Sequence, residues 1–325
     1  MAFISIDNIN ITGISSAVPR QKRINSNSKF VSTTGISEMR ISPETICTSD
    51  LCLEAANRLI DDLNINKSEI EVLVFVSQTP DYKLPVTSTI LQNKLNLPQS
   101  CLCLDITLGC SGYVYGLSVI SSLINSGKIK KGLLLVGETT SKIVEPGDQS
   151  TEPLFGDAGT ATLLEYDETA NPILFELGSD GSGYETIIIP GGSSRNKNSS
   201  CYVSLNGMDV FNFGINKIPK VVTTFLNYFK LNIENIDTFV FHQANKLMND
   251  MIYKKLNIPK TKTISSLRNY GNTSSATIPL TITTQLDKIE AGTKLLFCGF
   301  GVGLSWGSAY IHTNKEIYCS KLIEL

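Results

Sequence analysis

Cys110, His242 and Asn272 are the residues of this chain whose types and settings suit joint chemistry. Cys110 lies in Asp105-Ile106-Thr107-Leu108-Gly109-Cys110-Ser111-Gly112-Tyr113, where a strand ends, glycines bracket a sharp turn and a long helix begins. A cysteine at a helix start faces unpaired N–H donors and the positive end of the helix dipole, which favour thiolate and so a covalent nucleophile. Gly109 and Gly112 let another group come close. A cysteine merely packed in a tight turn explains this segment alone about as well. His242 leaves the apolar run Val240-Phe241 and enters the polar run Gln243-Ala244-Asn245, a poor setting for a structural histidine. His312, the only other histidine, sits on the last strand and fits a structural role. Asn272 follows Gly271 at a second strand-to-helix turn, where Asn is ordinarily a turn or cap residue.

An imperfect internal repeat joins the three. Ile70-Glu71-Val72-Leu73-Val74-Phe75 returns as Ile236-Asp237-Thr238-Phe239-Val240-Phe241, and Lys94-Leu95-Asn96-Leu97-Pro98 as Lys255-Leu256-Asn257-Ile258-Pro259. Gly132 to Gly137 has a looser echo in Thr293 to Gly299. Lys94 and Lys255 stand 161 residues apart, Gly137 and Gly299 162, and Cys110 and Asn272 also 162. A period this long means duplicated domains, not a solenoid. The expected halves are 1–167, carrying Cys110, and 168–325, carrying His242 and Asn272.

Alternating strands and helices must position these residues. Phe3 to Ile14 reads as a strand or hairpin, and Gln21 to Ser37 as a polar loop. Thr48 to Leu63 is an amphipathic helix with Thr48 or Ser49 at its N-cap, Glu71 to Gln78 a buried strand, and Pro85 to Leu95 a helix with Pro in its first turn. Ser111 to Ser126 is an apolar helix stopped by Gly127, and Lys131 to Gly137 a strand. Gly178 to Ser200 is polar around a short strand, Thr186 to Ile189. Asn212 to Phe229 is a helix interrupted or kinked near Pro219. Strands apolar throughout and separated by helices imply an α/β fold with buried sheets covered by helices.

Bulk composition narrows the function. With 42% apolar and 18% charged residues over 325 positions and a net charge of −2, the chain is globular, of about two domains, with no charge excess for nucleic acid. It shows no signal peptide and no apolar run near membrane-span length, so a cytoplasmic protein with no membrane partner is expected. The eight cysteines include no Cys-x-x-Cys pair, and Cys101 and Cys103 share one face of a strand. Reduced, packed thiols and no metal are the expectation.

Six segments together resemble the 3-oxoacyl-acyl-carrier-protein synthase III branch of the thiolase superfamily, nearly end to end. They are Thr34-Gly35-Ile36, the Gly109-Cys110-Ser111-Gly112 turn, Phe155-Gly156-Asp157-Ala158-Gly159, His242-Gln243-Ala244-Asn245, Gly271-Asn272-Thr273-Ser274, and Gly301-Val302-Gly303-Leu304-Ser305-Trp306-Gly307-Ser308. The resemblance implies a thiolase fold, a five-layered αβαβα sandwich, in a homodimer without cofactor. It implies that Cys110 takes an acyl group from an acyl-CoA or acyl-carrier thioester. It also implies that His242 and Asn272 stabilise the enolate left when a malonyl-carrier thioester loses CO₂. The backbone N–H groups of Cys110 and Val302 would form an oxyanion hole. Leu84 of the partner subunit and Phe300 would shape the acyl pocket, and Lys246, Lys254 and Lys255 would dock acyl carrier protein.

The chain departs from the family where coenzyme A is gripped. The adenine-stacking Trp is matched by Lys29 and the Arg that completes the clamp by Gln149. Thr33 stands for an Arg before Thr-Gly-Ile, Leu247 for a carrier-contacting Arg, and Val302 for a glycine. These leave the acyl donor open between coenzyme A and a carrier, and bring in a specialised-pathway acyltransferase of the same fold as an alternative. From a different class, a Cys-His-Asn thioester or amide hydrolase shares the chain order of the three residues.

Overall fold

The computed structural model describes residues 2–325. The first half contains β1 (Ala2–Ile6), β2 (Ile9–Val18), β3 (Lys22–Ile24), α1 (Ser28–Thr34), β4 (Glu38–Arg40), α2 (Thr48–Asp62), β5 (Val72–Val76), α3 (Thr87–Lys94), β6 (Leu102–Ile106), α4 (Gly112–Ile124), β7 (Lys131–Glu138) and β8 (Ala158–Tyr166). The second contains β9 (Ile173–Ser179), β10 (Ile187–Ile188), β11 (Ser204–Leu205), α5 (Gly207–Tyr228), β12 (Thr238–Phe241), α6 (Lys246–Lys255), α7 (Leu267–Tyr270) and α8 (Thr277–Gln285). It closes with β13 (Lys288–Ile289), β14 (Lys294–Gly301), β15 (Ser305–His312), β16 (Ile317–Cys319) and β17 (Ile323–Glu324).

Two mixed sheets carry the architecture. One runs β13-β16-β2-β8-β7-β5-β6, with β17 also on β2; the other runs β1-β9-β15-β14-β12. The order β2-β8-β7-β5 recurs as β9-β15-β14-β12. In each set the pair at the β5 or β12 end is parallel and the other pairs are antiparallel. The repeat seen in sequence is thus a repeat of topology.

Strand alternation sorts side chains into layers. Val72, Val74 and Val76 face a central layer with Leu134 and Val136, while Leu73, Phe75, Leu133 and Leu135 face α2 and Leu91 of α3. In the second sheet Val240, Leu295 and Phe297 face the same central layer, while Phe239, Phe241, Leu296 and Phe300 face α5 and α6. The centre is filled by α4 and α8, through Tyr113, Val114, Leu117, Ile120 and Ile124 of the one and Ile278 and Ile282 of the other. Five layers result: α2 and α3, sheet, α4 and α8, sheet, α5 and α6. A helix between two sheets must be apolar nearly all round, which is why α4 reads as a continuous apolar run.

Several local expectations need correction. Residues 3–14 are not one strand or a hairpin: Asn8, at φ 64°, turns the chain so that β1 joins one sheet and β2 the other. The expected loop 21–37 holds β3 and the short helix α1, capped by the Asn27 side chain on Phe30 N–H. The N-cap of α2 is Cys47, whose N–H donates to Asp50 Oδ2 at 2.9 Å, one residue before the expected cap. Pro85 precedes α3, which starts at Thr87. Helix α5 starts at Gly207 and runs through Pro219 without interruption. His312 ends β15, with two strands still to follow. Among the described residues no helix is long and apolar enough to cross a membrane.

Ile120 is fully buried at the centre of α4. Ile120→Ala should lower unfolding free energy by roughly 2–5 kcal/mol, the cost of lost contacts plus a cavity. Urea denaturation followed by circular dichroism measures it, and a loss under about 1 kcal/mol would contradict the central-layer assignment.

Candidate active site

Three turns, one from the first half and two from the second, converge on a cavity of about 340 Å³. Cys110 sits between the end of β6 and the start of α4 and is 9% exposed. His242 follows β12, and Asn272 lies between α7 and α8. All three line the cavity, with Gln78, Glu138 and Ser274 beside them. The end of β14 presses onto the cysteine turn. A Cβ on Gly301 would lie 2.7 Å from Cys110 Sγ, and one on Gly299 2.7 Å from the Cys110 carbonyl oxygen. Only glycine fits there, which explains the glycines flanking Phe300.

Each side chain is held in a defined orientation. Asn272 Oδ1 accepts from the Ser274 N–H at 2.9 Å, which leaves its amide N–H₂ to donate into the cavity. Its backbone is fixed by a 2.9 Å bond from its N–H to the Leu154 carbonyl and a 3.1 Å bond from Gly156 N–H to its carbonyl. The Phe155-Gly156-Asp157 motif therefore braces the asparagine turn. His242 donates its backbone N–H to the Cys298 carbonyl at 2.8 Å and stacks edge-on against Phe300, centroids 5.5 Å apart. Its ring Nδ1 lies 2.8 Å from Thr277 Oγ1. The Ser274 hydroxyl lies 3.9 Å from Cys110 Sγ.

Burial controls ionisation. Desolvation pushes the Cys110 thiol up to about 11, although the Ser274 hydroxyl and the backbone N–H groups of Val302 and Cys110 pull the other way. The thiolate expected from the helix-start position is thus outweighed, and burial favours the neutral thiol at Cys110. Burial pushes His242 down to about 3, against a smaller upward pull from the Ser274 backbone, so the imidazole is neutral. Glu138 is buried and raised to about 7 by desolvation, opposed by donors from the Gln78 backbone and the Thr79, Ser275 and Ser77 hydroxyls. Its distances are 3.1 Å to Gln78 N, 2.9 Å to Thr79 Oγ1 and 3.1 Å to Ser275 Oγ. Glu138 had no signal in the sequence beyond its place at the end of a repeated strand.

The expected secondary residues scatter. Val302 and Phe300 line the cavity. Leu84 does not line the cavity of its own subunit and is 85% exposed. Lys254 and Lys255 form the last turn of α6; Lys255 Nζ donates to the Ile215 carbonyl at 2.8 Å. Lys246 begins the same helix and pairs with Asp250. Lys29, Thr33 and Gln149 are exposed and outside the cavity lining, whereas Phe30 and Thr34 of α1 are part of it. Sequence reading missed the apolar walls from α1, β10, β11 and α5, including Ile187, Leu205, Val210 and Phe211. Only the spacing of Val210 and Phe211 within a helix start could have hinted at them.

Comparison with known proteins gives a consistent result. A family model described as 3-oxoacyl-[acyl-carrier-protein] synthase III matches residues 104–181, and its C-terminal counterpart matches 226–313. The chain is 34% identical over 327 residues to beta-ketoacyl-[acyl-carrier-protein] synthase III of Clostridium acetobutylicum, covering 95% of this chain and 100% of that one. It is 37% identical over 285 residues to beta-ketoacyl-[acyl-carrier-protein] synthase III 2 of Staphylococcus epidermidis, covering 86% and 87%. The crystal structure of a 3-oxoacyl-(acyl-carrier protein) synthase from Burkholderia xenovorans superposes with a TM-score of 0.94 at 35% identity, over 100% of this chain and 99% of that one.

Because burial raises the Cys110 thiol, its alkylation should stay slow near pH 7 and accelerate with pH up to about 11 without levelling off near pH 9. The rate is read on the Cys110 peptide by mass spectrometry after timed iodoacetamide treatment. A plateau below pH 9 would mean that the donors around the sulfur outweigh its burial.

Proposed function

The chain belongs to the 3-oxoacyl-[acyl-carrier-protein] synthase III family, and from that premise we propose how its cavity performs the decarboxylative condensation. The carrying observation is the convergence of a neutral buried thiol, a neutral imidazole and an oriented amide N–H₂ at one end of an apolar cavity. Cys110 Sγ attacks the carbonyl of an acyl thioester. Its proton passes to the departing thiol, and the acyl group stays on sulfur as a new thioester. The N–H groups of Cys110 and Val302, which already face the sulfur, stabilise the oxyanion formed on the way.

A malonyl thioester then occupies the cavity and loses CO₂. The electrons of the broken C–C bond pass into the thioester as an enolate, whose oxygen takes hydrogen bonds from His242 Nε2–H and Asn272 Nδ2–H. The enolate carbon attacks the acyl-cysteine, the C–S bond breaks, and Cys110 leaves as thiolate, which takes a proton from solvent water as the product departs, the hydroxide passing to bulk. The high affinity of this sulfur for a proton suits that last step. A neutral imidazole is a good donor here because it adds no charge to be neutralised before the enolate forms. A resting thiolate–imidazolium pair, which a Cys-His hydrolase uses, has no support from these ionisation states.

We further propose a cytoplasmic homodimer without metal, nucleic-acid or membrane partner, with acyl carrier protein delivering malonyl groups. Support for the dimer is the free edge of β6, where Leu102 and Leu104 are exposed near exposed Tyr82, Leu84 and Val86. An apolar edge of this kind is protected when it pairs with another copy. Leu84 would then reach the partner's acyl pocket. Lys246, Lys254 and Lys255 on α6, the helix that follows His242, are the basic group for an acidic carrier. The exposed Lys29 and Gln149 provide no stacking ring or cation clamp for adenine, and the choice between a coenzyme A and a carrier donor rests on which thioester loads Cys110.

Cys110→Ala should abolish both acyl loading and condensation. His242→Ala and Asn272→Ala should each lower malonyl decarboxylation on the order of 100-fold or more while sparing acyl loading. Single-turnover loading by mass spectrometry beside CO₂ release separates the steps; equal losses in both would instead make His242 the base for the thiol. Lys254→Glu with Lys255→Glu should raise KM for malonyl carrier protein and leave turnover of a small malonyl thioester nearly unchanged. Equal impairment of both substrates would place the carrier surface elsewhere.

A further inference from the structure

Resting on the enolate-stabilising role proposed for His242, we infer that Thr277 is a positioning residue: its hydroxyl donates to Nδ1 and keeps the ring proton on Nε2, facing the cavity. A neutral imidazole has one proton and two nitrogens to hold it, and the hydrogen bond at one nitrogen sets the state of the other. Nδ1 has Thr277 Oγ1 at 2.8 Å, and both residues are 1% exposed, so no water competes for the contact. The Ser274 carbonyl also acts on the ring, more weakly, while the remaining hydrogen bonds of His242 run through its main chain, to Cys298 and from Asn249 Nδ2 at 3.0 Å. They fix where the residue sits but do not distinguish its ring nitrogens. The edge-on contact with Phe300 at 90° fixes the ring plane.

Thr277 has a single hydroxyl hydrogen and faces two acceptors, Nδ1 at 2.8 Å and the Ser274 carbonyl at 3.0 Å. That carbonyl also accepts the backbone N–H of Thr277, and Nδ1 is the nearer of the hydroxyl's two acceptors. The opposite arrangement is Nδ1–H donating to Oγ1 while Oγ1–H donates to Ser274. It would leave Nε2 as a bare lone pair against a developing negative oxygen. Thr277 is the first residue of α8, five residues after Asn272. One turn therefore aims both enolate donors: it orients the asparagine amide through the Ser274 N–H and sets the histidine proton through the threonine hydroxyl.

The test uses the whole enzyme labelled with ¹⁵N-histidine. With only His242 and His312 in the chain, a His312→Gln sample assigns the ring signals. Near neutral pH the wild type should show a protonated Nε2 and an unprotonated Nδ1 at His242. Thr277→Val keeps the side-chain shape and removes the hydroxyl. It should give mixed tautomers and lower malonyl decarboxylation at least about tenfold, with acyl loading of Cys110 within about twofold of wild type. Thr277→Ser should restore both signal and rate. A protonated Nδ1 in the wild type overturns the inference, and so does a Val variant with unchanged tautomer and undiminished decarboxylation. The wild-type spectrum and the Ser variant decide the matter even if the Val variant folds poorly. If His242→Ala were to spare decarboxylation, the enolate role of His242 would fall, whereas the tautomer reading stands or falls on the spectrum alone.

Discussion

The backbone contact between the end of β14 and the Cys110 turn is the constraint around which the molecule is arranged. Gly299 and Gly301 approach Cys110 so closely that any Cβ there would collide with its carbonyl or its sulfur. Such an approach needs two rigid scaffolds that meet at a fixed distance, one bearing each side. The duplicated sheets, with α4 and α8 clamped between them, provide both. The same closeness excludes water from the sulfur and the imidazole, so the ionisation states follow from the packing.

Polar links between the halves keep the turns in register. Glu138, at the end of β7, accepts from Ser275 in the asparagine turn and from Gln78 and Thr79 beside the cysteine turn. A buried carboxylate with this many donors is a junction, since moving any one turn would leave a donor or the carboxylate unpaired. Its charge also disfavours thiolate at Cys110. The asparagine turn is held a second time through Leu154 and Gly156, so the Phe-Gly-Asp-Ala-Gly motif, far in sequence from Cys110, His242 and Asn272, acts on the cavity through backbone hydrogen bonds.

The grouping of Cys110, His242 and Asn272 at one cavity was legible in the sequence because turn chemistry and a repeat offset both point to it. The buried strands were legible because a strand covered on both faces is apolar at every position. Helix α1 was not, since it is seven residues long, mostly polar, and owes its start to Asn27 and not to an apolar stripe. The parting of β1 from β2 was hidden because the alternating pattern runs on through Asn8, whose left-handed backbone is the only mark of the corner. The protonation state of Cys110 was hidden for a physical reason: helix position is a local property visible in sequence, whereas its burial depends on residues such as Ser274, Gly299 and Gly301, 164, 189 and 191 positions away. Glu138 and Thr277 escaped for the same reason, since their partners are brought to them only by the fold.

The exchange of strands between the two sheets has a consequence for how the chain comes into being. β1, made first, has its partner β9 in the sheet built mainly from the second half, while β2 pairs with β16 and β17 near residue 320. The smaller sheet is complete only when β15 has been made, and the larger only when β16 and β17 have left the ribosome. The first half must wait with one edge of β2 unpaired, and closing contacts of such sequence separation are slow to form. Completion of the larger sheet is therefore a late event in the life of the polypeptide, and a ribosome-stalled fragment ending before residue 317 would carry Cys110, His242 and Asn272 with one edge of β2 still open.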